Sequence, residues 1–187
     1  MSVVIAKKYN GGVIIGADKR ATCGNHIGDV HRKVWKSQLS ASAWGCVGHL
    51  RDCNIIGVMD EVIDTKDILL GTDIDFKYVV KTVVRNLFKN FEAFGRIQTS
   101  DGVPKLLSEF LFVTCERIFK IGCDGSVTEC EEFGTIGCGD QYSEGFLMGS
   151  KGRKEKEVIE EVKKAVETAC QNDPYVGGGV DIIILKR

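Results

Sequence analysis

Residues 2–25 read SVVIAKKYNGGVIIGADKRATCGN. Val3 to Tyr9 is a short run rich in β-branched residues, Asn10-Gly11-Gly12 is a turn sequence, and Val13 to Ala17 is a second apolar run. That pattern predicts a β-hairpin. The second strand ends on Asp18, Lys19 and Arg20. An apolar strand that ends on charges is ordinarily just reaching solvent. A hairpin, however, returns that end to the start of the first strand, so Asp18 is expected beside Ser2.

Outward from the hairpin, Lys33 to Trp35 and Leu39 to Val47 read as another strand pair. Leu50 to Ile63 turns helical, with Leu50, Cys53, Val58, Met59 and Val62 near helix spacing. A linker with Gly71 and Asp73 precedes a strong helix over Asp75 to Phe94, whose apolar residues form one stripe. Strands resume at Phe110 to Cys115, Arg117 to Ile121, Val127 to Glu131 and Phe133 to Cys138. Two helices follow, Gln141 to Met148 and Arg153 to Gln171. The second keeps Val158, Ile159, Val162, Ala165, Val166, Ala169 and Cys170 on one face among lysines and glutamates. A last strand covers Val180 to Leu185. Strands in blocks imply antiparallel sheets, because parallel neighbours need a crossover between them. The simplest arrangement is α+β: two facing sheets with helix pairs outside. With no repeat or dividing linker, residues 1–187 are expected to be one domain.

The bulk numbers narrow the function classes. The chain has 187 residues, 43% hydrophobic and 27% charged, with a net charge of −1. That is an ordinary globular balance, and it gives no electrostatic reason to expect nucleic acid or a membrane surface as partner. No apolar stretch is long enough to span a bilayer, and MSVVIAKKY does not read as a secretion signal. Eight cysteines include no C-x-x-C pair, and there are only three histidines. The expectation is reduced thiols in the cytoplasm, with neither metal nor cofactor.

The chemistry suggested by the residues alone lies at the N-terminus. Ser2 follows a methionine that is normally removed before a small residue, leaving a hydroxyl and a free α-amine on one residue. An α-amine can take the proton of its own hydroxyl, and its ordinary pKa of about 8 suits that work. A lysine nearby would keep the amine neutral, and an acid would orient the lysine. Asp18 lies at the hairpin end beside Ser2 and Lys33 opens the next strand, although each taken alone is more often a solvated charge than a catalytic group.

The opening stretch resembles that of proteasome β subunits and of the bacterial HslV peptidase. The resemblance continues in order through RKVWKS, WGCVGHLRD, RIFKIGCDGSV, GTIGCGDQYSEGFL and GGGVDIIIL, covering nearly the whole chain. It implies the N-terminal nucleophile hydrolase fold, a four-layer αββα sandwich, and a threonine-type endopeptidase whose nucleophile is here Ser2. Carried over by position, Asp18 is the orienting acid and Lys33 the base. The Gly45 N–H is the oxyanion donor and Asp173 a supporting acid. Ala21, Ala43 and Val47 line a pocket of apolar or mixed preference. The resemblance further implies a ring-forming homo-oligomer acting on peptides or unfolded proteins. Any ATP-dependent unfoldase would be a separate chain, since no ATP-binding motif occurs here.

Three positions depart from the family pattern. The nucleophile is serine and lacks the methyl group that restricts threonine's rotamer. Cys138 replaces a serine of the glycine-rich turn, and a thiol is a weaker donor than a hydroxyl. Val176 replaces a further serine and cannot hydrogen-bond through its side chain. These departures leave two alternatives open: a non-catalytic structural subunit, or an amidase or transpeptidase on the same fold.

Overall fold

The computed structural model describes residues 2–23, 26–29, 31–37, 41–59 and 62–187. β1 (Val4–Tyr9) and β2 (Gly12–Asp18) form the expected antiparallel hairpin, with Val4 opposite Ala17 and Tyr9 opposite Gly12. All of β2 is buried, and β1 is buried except at Lys8. Layers therefore cover both faces of the hairpin, which is why each run reads as continuously apolar rather than alternating.

Two three-residue strands follow, β3 (Ala21–Cys23) and β4 (His26–Gly28). Then come β5 (Val34–Lys36) and β6 (Ser42–Val47), the expected strand pair. The expected start of the second strand at Leu39 lies outside the described residues. Helix α1 (Leu50–Val58) is shorter than the sequence pattern indicates, since Met59 is already extended. Gly57, the weakest helix former after proline, is its penultimate residue. Val62 and Ile63 are buried in the following turn instead. α2 (Thr65–Leu69) is a single short turn of helix without a sequence signal.

The strong helix is present as α3 (Phe76–Tyr78), a π-helical turn (Val79–Val83) and α4 (Val84–Ala93). It starts where Asp75 accepts a hydrogen bond from the Tyr78 N–H at 2.7 Å. A hairpin of β7 (Ile97–Ser100) and β8 (Val103–Leu106) is followed by β9 (Glu109–Thr114), β10 (Ile118–Ile121), β11 (Val127–Cys130) and β12 (Phe133–Ile136). The chain ends with α5 (Asp140–Met148), α6 (Glu155–Asn172) and β13 (Val180–Lys186).

One sheet has the order β12-β1-β2-β13 and the other β11-β10-β9-β6-β5. Between them lies a core containing Val4, Ala6, Ile15, Ala17, Val34, Leu111 and Val113. On the outer face of the first sheet, Val3, Ile5 and Ile14 pack against Val158, Val162, Val166 and Ala169 of α6. These buried α6 residues recur every three or four positions, so most of its lysines and glutamates fall on the other side, while Glu161 turns back to Lys7 of β1. Full burial of each valine contributes about 1.5–3 kcal/mol. On the outer face of the second sheet, Phe110, Phe112 and Phe119 pack against α1 and the α3–α4 helix through Ile56, Val83, Leu87 and Phe91. The result is the αββα sandwich, with one end of the first sheet carrying Ser2 and Asp18.

Candidate active site

Asp18 is the last residue of an inner strand, and its side chain is fully buried. A buried carboxylate is costly unless its oxygens are occupied. Here Oδ1 accepts from Lys33 Nζ at 2.6 Å and from the Val3 N–H at 2.9 Å. Oδ2 accepts from the Gly177 N–H at 3.1 Å and the Arg20 N–H at 3.2 Å. Asp18 thus ties the N-terminal strand, the residue before β5 and the loop before β13 to one point. Its partner Lys33 also donates to the Arg20 carbonyl at 2.6 Å. Burial pushes the Lys33 ammonium below the ordinary lysine value, and the neighbouring Asp18 opposes that shift.

Ser2 is one residue from the Asp18 contact and only 6% exposed. Its N–H donates to Cys138 Sγ at 3.2 Å, and its carbonyl accepts from the Gly139 N–H at 3.4 Å. Cys138 Sγ also lies 3.5 Å from that carbonyl. The turn comes this close because Gly137 has φ +100°, where an added Cβ would strike the Ser2 carbonyl. Behind Cys138 lies Asp173, at the C-terminal end of α6, which accepts from the Tyr175 N–H at 2.8 Å. Burial and then the hydrogen bond to Asp173 push the Cys138 thiol up to about 11, so it stays protonated. The structure thus brings Ser2, Asp18, Lys33, Cys138 and Asp173 to one end of the sandwich. Val176, where a polar partner was expected, is buried against the outer core.

This constellation sits on a chain that the Proteasome subunit family matches over residues 2–185. The chain belongs to the proteasome subunit family. The proteasome subunit beta 1 of Pyrobaculum aerophilum is 22% identical, with all of this chain and 91% of the relative covered. The proteasome subunit beta 2 of Ignicoccus hospitalis is 26% identical over 94% of this chain and 80% of its own length. Among solved structures, eukaryotic HslV from Trypanosoma brucei superposes with a TM-score of 0.70 over 99% of both chains, at 16% identity. The proteasome β/HslV type of N-terminal nucleophile hydrolase fold is therefore the fold of this subunit.

Within that fold, three of the expected positions have other surroundings. Cys46 donates its N–H to the Lys33 carbonyl at 3.0 Å, on the β5 side of β6. Successive amides on a strand face opposite ways, so the Gly45 N–H faces β9, where Gly45 pairs with Leu111. The Gly45 N–H is thus directed into the sheet toward β9. The lack of a side chain at Gly45 lets the sheets close, because a Cβ there would strike Val4. Ala43 is fully buried and Val47 6% exposed, both within the core between the sheets. Of the three expected pocket residues, Ala21 lines an open groove.

The sequence reading also passed over Arg20. Its guanidinium donates to the Pro174 carbonyl at 2.9 Å and pairs with Asp29 at 2.9 Å, bracing the loop that carries Gly177. Its position two residues after Asp18 was the available signal.

Proposed function

We propose that this proteasome subunit is a peptidase whose nucleophile is Ser2 once Met1 has been removed. The Ser2 hydroxyl attacks a peptide carbonyl and forms a C–O bond, while the α-amine takes the hydroxyl proton. That proton passes to the departing amine as the C–N bond breaks. Water then cleaves the ester, restoring the hydroxyl and releasing the acid. Lys33 favours the neutral amine through its charge, and Asp18 fixes the lysine. Cys138 accepts from the Ser2 nitrogen, and Asp173 in turn holds Cys138. The observation that carries this reading is the bridge in which one Asp18 oxygen binds both Lys33 Nζ and the Val3 amide. It puts the lysine one residue from the nucleophile.

The same reading places the subunit, as one domain, in a cytoplasmic homo-oligomeric ring supplied by a separate unfoldase. A second reading, an idle structural subunit, is favoured by the buried apolar Val176 and the small exposure of Ser2. Hydrolysis of fluorogenic peptides by assembled protein separates the two. Ser2→Ala is expected to lose activity by about 1,000-fold or more and Lys33→Ala by about 100-fold. Undiminished hydrolysis in both variants would overturn the catalytic assignment.

A further inference from the structure

A groove of about 590 Å³ opens beside this site, between the β3–β4 hairpin and the start of α1. Its position relative to Ser2 follows from two of its walls. Ala21 directly follows Arg20, whose carbonyl holds Lys33 Nζ. Gly48 directly follows Val47, whose side chain approaches Gly137 in the turn around Ser2.

The lining is unusual for this chain. His26, His31 and His49 all line it, and these are the only histidines in the sequence. Thr22, Arg51 and Arg96 add to its polar wall, and no acidic residue is among the described lining residues. The chain as a whole has 26 acidic residues against 25 lysines and arginines, so this local balance is a departure. Among the described residues, the nearby acids are occupied: Asp29 holds Arg20 at 2.9 Å, and buried Asp52 holds Arg96 Nε at 2.5 Å and the Ser108 hydroxyl at 2.7 Å. That leaves Arg96 Nη2 buried with no hydrogen-bond partner among the described residues. A guanidinium nitrogen in that condition is short of an acceptor. Arg51 is exposed and makes one long contact, 3.3 Å to the Phe94 carbonyl.

We propose that this groove selects peptides carrying an acidic side chain close to the bond presented to Ser2, with His49, Arg51 and Arg96 receiving the carboxylate. The selection rests on the peptidase reading for its use in catalysis, but binding of the acidic side chain does not depend on turnover. Carboxylates are matched by planar guanidinium and imidazole donors, and a neutral isostere forgoes the charge-assisted share of those bonds. The preference expected from the small neutral residues Ala21, Ala43 and Val47 therefore gives way to a charged one.

The test measures binding of two fluorescent peptides, identical except for Glu or Gln at the residue before the scissile bond. The host is full-length assembled protein with Ser2→Ala, which cannot turn them over. The Glu peptide is expected to bind about tenfold more tightly, and the difference is expected to shrink to near onefold in His49→Ala/Arg51→Ala. Arg96→Lys keeps a cation for Asp52 while removing the unpartnered nitrogen, and is expected to lose part of the preference. Equal binding of the two peptides, or an unchanged preference in the double variant, overturns the proposal. Epoxyketone labelling of Ser2 in the unmutated protein, using a neutral inhibitor, reads the peptidase assignment separately. Binding preference without labelling would leave the groove and remove the peptidase; labelling without preference would do the reverse.

Discussion

Among the described residues two lysines are buried, Lys7 and Lys33, and each meets a carboxylate at 2.6 Å. Lys7, on β1, reaches Glu161 of α6 and the Ser150 hydroxyl, with its side chain 1% exposed. Lys33 reaches Asp18, with its side chain 5% exposed. By burial and charge they are near equals. Their connections differ. The Lys7 pair joins a sheet to the helix layer above it, and Glu161 also accepts from the Gly152 N–H at 2.7 Å. The Lys33 pair gathers backbone from three separate segments at the end of the N-terminal strand, beside an open groove. Burial of an ion pair alone therefore does not mark a functional lysine. What surrounds the pair does.

The comparison is best broken by exchanging its two sides. Lys33→Ala should produce the larger change in hydrolysis per folded molecule, and it also lowers stability because it leaves the buried Asp18 short of a partner. Glu161→Ala should lose stability without that loss of activity. Removing one partner of a buried pair costs about 3–5 kcal/mol, so its urea midpoint should fall clearly while hydrolysis per folded molecule stays within about twofold of the parent. If Glu161→Ala proves as inactive as Lys33→Ala at equal fold, the division between structural and functional lysine is wrong.

A smaller effect sharpens the account of the second carboxylate at the site. With its thiol held up to about 11, Cys138 should be about one part in a thousand thiolate at pH 8 and react slowly with iodoacetamide. Asp173 is one of the influences raising that value, so Asp173→Asn should lower it and speed alkylation at pH 8 several-fold. The desolvation contribution remains, so the rate should not reach that of a thiol free in water. No acceleration would mean that Asp173 does not act on Cys138.

The first hairpin was legible because turn residues and apolar runs lie within one short segment, whereas the meeting of Asp18 with Lys33, at the ends of strands in different sheets, was read from the resemblance to proteasome β subunits and HslV. The long helices were legible through their single apolar faces. β3, β4, β7 and β8 were not, because strands of three or four residues, partly exposed, leave no alternating pattern to read. The direction of the Gly45 amide was hidden for a different reason. It depends on which neighbour each side of β6 meets, a property of sheet order rather than of local sequence. The histidine groove combines residues from a hairpin, a loop and a helix start, so no spacing announces it.

The central claim is that Ser2 works as an N-terminal nucleophile, and intact mass tests it most directly. Purified protein is weighed before and after exposure to a neutral epoxyketone peptide, which reacts only where a hydroxyl and a free α-amine share one residue. The account predicts a mass lacking Met1 that gains one inhibitor, with no gain in Ser2→Ala. A mass that retains Met1 and gains nothing would contradict it.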